Sequence, residues 1–358
     1  MEAILLRLDM DVVEAILVRL DVEDVLRCKS VCKSWYNMIS TKYFVKVHLK
    51  RSCNSNREHG YLRIQLHLEI NHMTENDDKL RCFMMVGSCN GLVCISPYSA
   101  EFLVTNPSTR EVRNLPMLPY KNRTKLCWGF GYDSSTDDYK VVVGYNRSEY
   151  HMEFQVLSLK SNKWKLVTDN NCLTYNTRLR FSGFLYEGAL HWFVDDMKNK
   201  KTIILSFDLS LEKFKEIPQP EDSKYVCDNE NMLGMFEECL CIFRYYNINA
   251  NHCHTWVMRN HGCWQLLPRN YEGNKYAAAT TAYTLNCFPN NNWHLCKNDK
   301  GDVDLSWQSW FTIGAPIFVK SLVSPLNVKP KKKNNNNRDV SKIRKRKRKA
   351  QKKKDKVN

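Results

Sequence analysis

Two unrelated markers recur in this chain with a shared period near fifty residues, and that period limits the folds open to it. The first is the apolar start of a strand, at Gly91-Leu-Val-Cys94, Asp138-Tyr-Lys-Val141, Gly188-Ala-Leu-His191 and Glu238-Cys-Leu-Cys241. Successive starts lie 47, 50 and 50 residues apart. The second is a turn followed by an aromatic or branched residue, ending at Val112, Trp164, Phe214 and Trp264, with ends 52, 50 and 50 apart. Short β-type runs broken by Gly, Pro, Asn and Asp fill the space between the markers. Periods of this length belong to solenoids, propellers and arrays. A fifty-residue unit holds one four-stranded blade, and closing blades into a ring leaves few sheet edges exposed. The expectation for residues 81–328 is therefore an all-β domain, first a β-propeller, with a β-sandwich of the same strands as the alternative. Four repeats are visible between 81 and 268. Residues 270–328 and the alternating Leu62, Ile64, Leu66 and Leu68 are candidates for further blades.

Upstream the period changes. Val13, Ile16, Leu17 and Leu20 follow i, i+3, i+4, i+7 spacing, and Cys28, Val31, Cys32, Trp35, Met38 and Ile39 repeat it over three turns. Asp11 with Glu14 reads as a capping box, and Asp21 before Val22 offers a second cap. Two or three short amphipathic helices within about forty residues cannot bury all their apolar faces alone. Each Leu, Ile or Val left wet forgoes roughly 1.5–3 kcal/mol, so the unit should dock on something.

Val12-Val13-x-x-Ile16-Leu17-x-Arg19-Leu20, Val25-Leu26-Arg27-x-Lys29-x-Val31-Cys32-Lys33-x-Trp35 and Phe44-Val45-x-x-His48-Leu49-x-Arg51-Ser52 resemble the plant F-box. Further on, Gly87-Ser-Cys-Asn-Gly91-Leu-Val-Cys94, Asn106-Pro-Ser-Thr-Arg110, Gly129-Phe-Gly131-Tyr-Asp133, Tyr139-Lys-Val-Val142 and Gly188-Ala-Leu-His-Trp192 are similar to the F-box-associated, kelch-like domain. The double glycine and the tyrosine–tryptophan pair of true kelch repeats are missing. The resemblance covers roughly residues 8–270. It implies an α+β multidomain chain: an F-box at 8–51, a linker with one strand at 52–80, the β-domain at 81–328 and a tail at 329–358. It also implies a non-catalytic substrate-recognition subunit of a Skp–cullin–F-box ubiquitin ligase, binding a Skp-family adaptor, through it a cullin, and an unknown target protein. The adaptor-contact residues it implies are Leu8, Val13, Ile16, Leu17, Leu20, Val25, Leu26, Val31 and Trp35, some of them serving the internal core. Leu17→Asp or Trp35→Ala is expected to abolish adaptor binding. Two departures stand out: Leu8-Asp9 replaces the usual Leu-Pro start, and Asp21 replaces the second Pro. Asp opens a helix as a cap, where Pro does so by a preset φ.

Charge is unevenly placed. Residues 329–358 hold 16 Lys/Arg and 2 Asp/Glu, while the other 328 residues carry 38 basic and 36 acidic side chains. The tail is low-complexity and cannot bury enough apolar surface to order itself. Lys331, Lys332 and Lys333 with Arg344, Lys345, Arg346, Lys347, Arg348 and Lys349 fit a bipartite nuclear import signal for an import receptor, which places the chain in nucleus and cytoplasm. Nucleic-acid binding through phosphates is the alternative use of such a tail, and a free-standing binding module is the alternative for the whole chain. No apolar run of about 18 residues suggests a membrane partner. Arg7 cuts short the apolar stretch that a secretory signal would need. Fifteen cysteines without framework spacing suit a reducing compartment. No phosphate loop, nucleophile elbow or metalloprotease motif appears, and no cofactor is expected. His252, Cys253, His254, His261 and Cys263 form the richest metal-like cluster. Alternation on a strand would split them between two faces and no CxxC accompanies them, so no metal is expected. Recurrent tryptophans, Trp164 and Trp264 in particular, are assigned to the core.

Overall fold

The computed structural model describes residues 9–55, 82–96, 101–119, 125–148, 151–167, 175–176, 181–227, 231–236, 238–245, 253–259, 262–267, 293–294, 296–297, 303–304 and 319–326. Leu8, the strand expected at 62–68 and the basic tail lie outside them. The chain divides into two compact units, Met1–Val328 and Lys329–Asn358.

The N-terminal part is helical: α1 (Met10–Leu17), α2 (Val22–Cys28), α3 (Lys33–Ile39) and α4 (Lys42–Ser55). The series running from Cys28 to Ile39 is not one helix, because α2 ends at Cys28 and α3 begins at Lys33. Cys32 caps α3, its Sγ accepting from Trp35 N at 3.5 Å. Four sheets follow, each built on an antiparallel meander of four strands. The first blade is β1 (Cys82–Cys89), β2 (Leu92–Ser96), β3 (Leu103–Asn106) and β4 (Glu111–Asn114). The second is β5 (Lys125–Asp133), β6 (Asp138–Ser148), β7 (His151–Ser158) and β8 (Lys163–Leu166). Two short strands, β9 (Tyr175–Asn176) and β10 (Phe181–Ser182), precede the third blade of β11 (Phe184–Tyr186), β12 (Ala189–Asp196), β13 (Lys201–Asp208) and β14 (Lys213–Ile217). The fourth is β15 (Asn231–Phe236), β16 (Cys239–Tyr245), β17 (Cys253–Arg259) and β18 (Cys263–Leu266). The inner strands set the blades side by side, β1 against β5, β5 against β11 and β12, and β11 against β15. This is a propeller-like arrangement of separate four-stranded sheets, not a two-sheet sandwich. Of the region assigned to further blades, β19 (Trp293–His294) pairs with β1, and β20 (Cys296–Lys297) with β21 (Val303–Asp304).

The fifty-residue period has a backbone cause. Each first hairpin turns through a left-handed residue: Asn90 (φ 55°), Asp137 (55°), Glu187 (46°) and Glu238 (62°). Each last hairpin does the same at Arg110 (59°), Asn162 (55°), Glu212 (53°) and Gly262 (112°). Non-glycine residues pay about 1–2 kcal/mol there, which local hydrogen bonds offset. Arg110, Asn162 and Glu212 each donate their backbone N–H to the carbonyl four residues earlier, on Asn106, Ser158 and Asp208, at 2.8–2.9 Å. The side chains of those same residues accept from the turn: Asn106 Oδ1 from Ser108 N, Ser158 Oγ from Ser161 N and Asp208 Oδ1 from Ser210 N. In an antiparallel meander the first and last hairpins share one end of the blade, so this set of tight turns lines a single rim.

Cores form between blades, because both faces of a central strand are covered. Along β6, Val141, Val143 and Tyr145 join the core shared with blade one, while Val142 joins the core shared with blade three. Successive side chains point to opposite faces. Trp128, Trp192 and Trp256 are buried. Trp164 and Trp264 pack against the cores from their margin and not from inside: both are half-buried on outermost strands, with one side toward solvent. Each donates its indole N–H to the connection leaving the preceding blade, Trp164 to Pro116 O at 2.8 Å and Trp264 to Pro218 O at 2.6 Å. These tryptophans staple neighbouring blades from outside.

Candidate functional site

Helix α1 starts at a cap. Asp9 Oδ1 accepts from Asp11 N at 3.1 Å, so the capping residue is Asp9 and not Asp11. Asp9 thus opens the helix as a side-chain cap, a route that Pro does not use. Asp21 holds the equivalent place before α2, but its side chain makes no capping hydrogen bond. Instead Glu23 and Asp24 supply negative charge in the first turn and Arg27 positive charge at the end, which suits the helix dipole. Thr41 Oγ1 accepts from Phe44 N at the start of α4, and His48 Nε2 meets Leu20 O at 2.9 Å, tying α4 to the turn between α1 and α2.

These helices enclose their own core of Val13, Leu17, Val22, Val25, Ile39 and Phe44. The residues offered as an adaptor face therefore separate into three groups. Val13, Leu17 and Val25 are 2%, 2% and 0% exposed and hold the unit together from inside. Leu20, Leu26 and Trp35 are half-buried against that core. Ile16 and Val31, at 49% and 43%, face outward. The spacing could not make this distinction, since α1 is apolar on two adjoining faces: Val12 and Ile16 are one turn apart, about 100° round from Val13 and Leu17. Met10, Val12, Tyr36 and Tyr43 are also exposed, and the sequence reading passed over them although Val12 and Ile16 carry an i, i+4 signal. These exposed apolar residues make the helical unit the candidate interaction surface.

The helical unit is mounted on the rim of tight turns. Lys42 Nζ and Lys46 Nζ lie 3.2 and 2.8 Å from the Asp137 carboxylate, on the first hairpin of blade two. Tyr132 also donates to it. Burial alone would push the Asp137 carboxyl up, but these donors outweigh it and hold it well below the usual carboxylate range, so the group stays charged in its ion pair.

Among the described residues no group of three or more His, Cys, Asp or Glu is placed to hold a metal. Cys263 is exposed, and His254 lies on β17 with part of its surface exposed. His252 and His261 lie outside the described residues. No described helix is long and apolar enough to cross a membrane. The import-signal residues from Lys331 to Lys349 all lie outside the described residues.

Four helices around a small core and a rim-mounted, propeller-like β-domain define a class of protein, and the comparisons name it. Residues 5–46 match the F-box domain and residues 38–268 the F-box associated beta propeller domain, and this chain belongs to that family of F-box proteins. It is similar to an F-box/kelch-repeat protein of Arabidopsis thaliana, 29% identical over 282 residues that cover 71% of this chain and 76% of that one. The F-box protein CPR1 of the same plant is 28% identical over 294 residues, covering 70% and 69%. An Arabidopsis F-box/WD-40 repeat-containing protein is 29% identical over 231 residues, covering 59% and 55%.

Proposed function

We propose that this chain is the target-recognition subunit of a Skp–cullin–F-box ubiquitin ligase. The observation that carries the reading is a helical F-box that buries Val13, Leu17 and Val25 inside, yet leaves Met10, Val12, Ile16 and Val31 exposed. Fully burying an apolar group of that size is worth roughly 1.5–3 kcal/mol, of which covering these half-exposed side chains recovers about half, and a Skp-type adaptor is the partner the family implies. The propeller holds a target protein, and the subunit acts by tethering, raising the effective concentration of a target lysine beside the charged conjugating enzyme. The chain supplies no catalytic residue. Its basic tail serves as a nuclear import signal, so the protein distributes between nucleus and cytoplasm.

The test is capture of the purified full chain by a Skp-type adaptor. Ile16→Asp puts a charge on the exposed face without touching the core, so it should abolish capture while circular dichroism and melting stay as in the wild type. Leu17→Asp, by contrast, places a charge in the core and reports on folding, not on docking. Undiminished capture of a folded Ile16→Asp chain would overturn the assignment of this face.

A further inference from the structure

Residues 319–326 lie more than two hundred positions from the F-box in sequence, yet they complete its core. Leu322, 5% exposed, packs with Val13, Leu17, Val22, Val25, Ile39 and Phe44. Lys320 Nζ beside it lies 2.6 Å from Glu23 Oε1 on α2. The same segment is gripped from the other side by blade one. Asn106 Nδ2 donates to the carbonyls of Ser321 and Val323 at 2.9 and 2.6 Å, Ser321 Oγ donates to Asn90 O at 2.8 Å, and Arg113 Nη1 reaches Pro325 O at 3.2 Å. Gly91 leaves room for this approach: a Cβ there would sit 2.5 Å from Val319 O. Asn106 is fully buried, and its amide is used on both sides, since Oδ1 caps its own turn while Nδ2 holds the segment.

We propose that 319–326 is a clasp that closes the F-box core with Leu322 and fixes that core to blade one through Asn106. The first fifty-odd residues of the chain then reach their final packing only once its C-terminal segment is in place. A chain lacking that segment would carry the F-box sequence without a finished docking surface. This last consequence rests on the adaptor reading; the clasp itself does not.

Both parts are tested on the full-length chain. Amide hydrogen exchange is followed in Leu322→Ala, Leu322→Met and Asn106→Ala. A buried Leu→Ala change leaves a cavity that the site only partly fills, whereas Met nearly conserves the volume. Exchange in α1 and α2 should quicken on the order of tenfold or more in Leu322→Ala, quicken in Asn106→Ala, and return close to wild type in Leu322→Met. Amides of β5 to β7 should keep their protection throughout. Unchanged exchange in α1 and α2, or equal acceleration in blade two, would overturn the clasp. Capture by a Skp-type adaptor is read on the same samples and should weaken in step with the helices. Full capture by a chain with loosened helices would break the link to docking. Failure of the wild type itself to be captured would count against the adaptor reading, with the exchange result still deciding the clasp.

Discussion

Gly91 and Gly188 stand at the first hairpins of blades one and three with nearly the same backbone, φ +78° and +75°, but in different surroundings. An added methyl at Gly188 meets nothing within 4 Å, while at Gly91 it would lie 2.2 Å from Ser321 Oγ and 2.5 Å from Val319 O. Gly188→Ala should therefore cost only the left-handed strain, about 1–2 kcal/mol. Gly91→Ala should cost that and more, because the clasp must shift. Denaturant unfolding of the two variants measures the difference, and equal losses would mean the approach at Gly91 is slack. The repeated markers, two of them opening on glycine, made the hairpins legible in the sequence. What Gly91 makes room for was not, because Ser321 sits 231 positions from Asn90 and no local pattern links them. Ile16 and Leu17 teach the same lesson. They are neighbours in one apolar series, and the packing of α2, α3, α4 and Leu322 against Leu17 decides which of them is inside.

Between elements, the DYK marker of blade two does more than begin a strand. Lys140 on β6 is buried with its Nζ 3.1 Å from Asp133 Oδ2 on β5 and 3.0 Å from Glu212 Oε1 in the last hairpin of blade three; it also donates to Leu209 O. Asp133 accepts further bonds from Ser135, Thr136 and, across the blade boundary, Ser210. Burial works to raise the Asp133 carboxyl, but these donors prevail and hold it well below the ordinary carboxylate range. Lys140→Met removes one partner and leaves a buried charge, which should cost about 3–5 kcal/mol at neutral pH. The sign of the pH effect follows from the lowered value: the contribution of Asp133 is present above its unfolded pKa and fades as the pH drops through the acid range. Wild type and Lys140→Met should thus converge in stability on acidification, and a constant gap from pH 7 to pH 3 would contradict this account. Periodicity placed the strands correctly for the four visible repeats. It joined Cys28 to Ile39 falsely, because the turn between α2 and α3 happens to preserve the apolar spacing.

At the scale of the whole molecule, the formal charge of +16 belongs almost entirely to residues 329–358, while the rest of the chain is near neutral. Replacing Arg344 to Lys349 with alanine should move a fluorescently tagged chain from nucleus to cytoplasm while adaptor capture stays the same. An unchanged distribution would remove the import reading, and DNA affinity falling steeply with salt would favour phosphate binding instead. Composition alone revealed this division, whereas the mounting of the F-box emerged only in three dimensions. Both attachments, Asp137 on one side and the Asn90–Asn106 grip on the other, fall on the rim of first and last hairpins. The opposite rim, where second strands pass to third, lies one strand-length away. For the eleven residues of β6 that is roughly 35 Å. A bracket of this kind acts as a ruler. If the chain acts in a ligase as proposed, a cargo seated on the far rim would be presented at a set stand-off, and the lysine that receives ubiquitin would be chosen by reach and orientation, not by the residues around it.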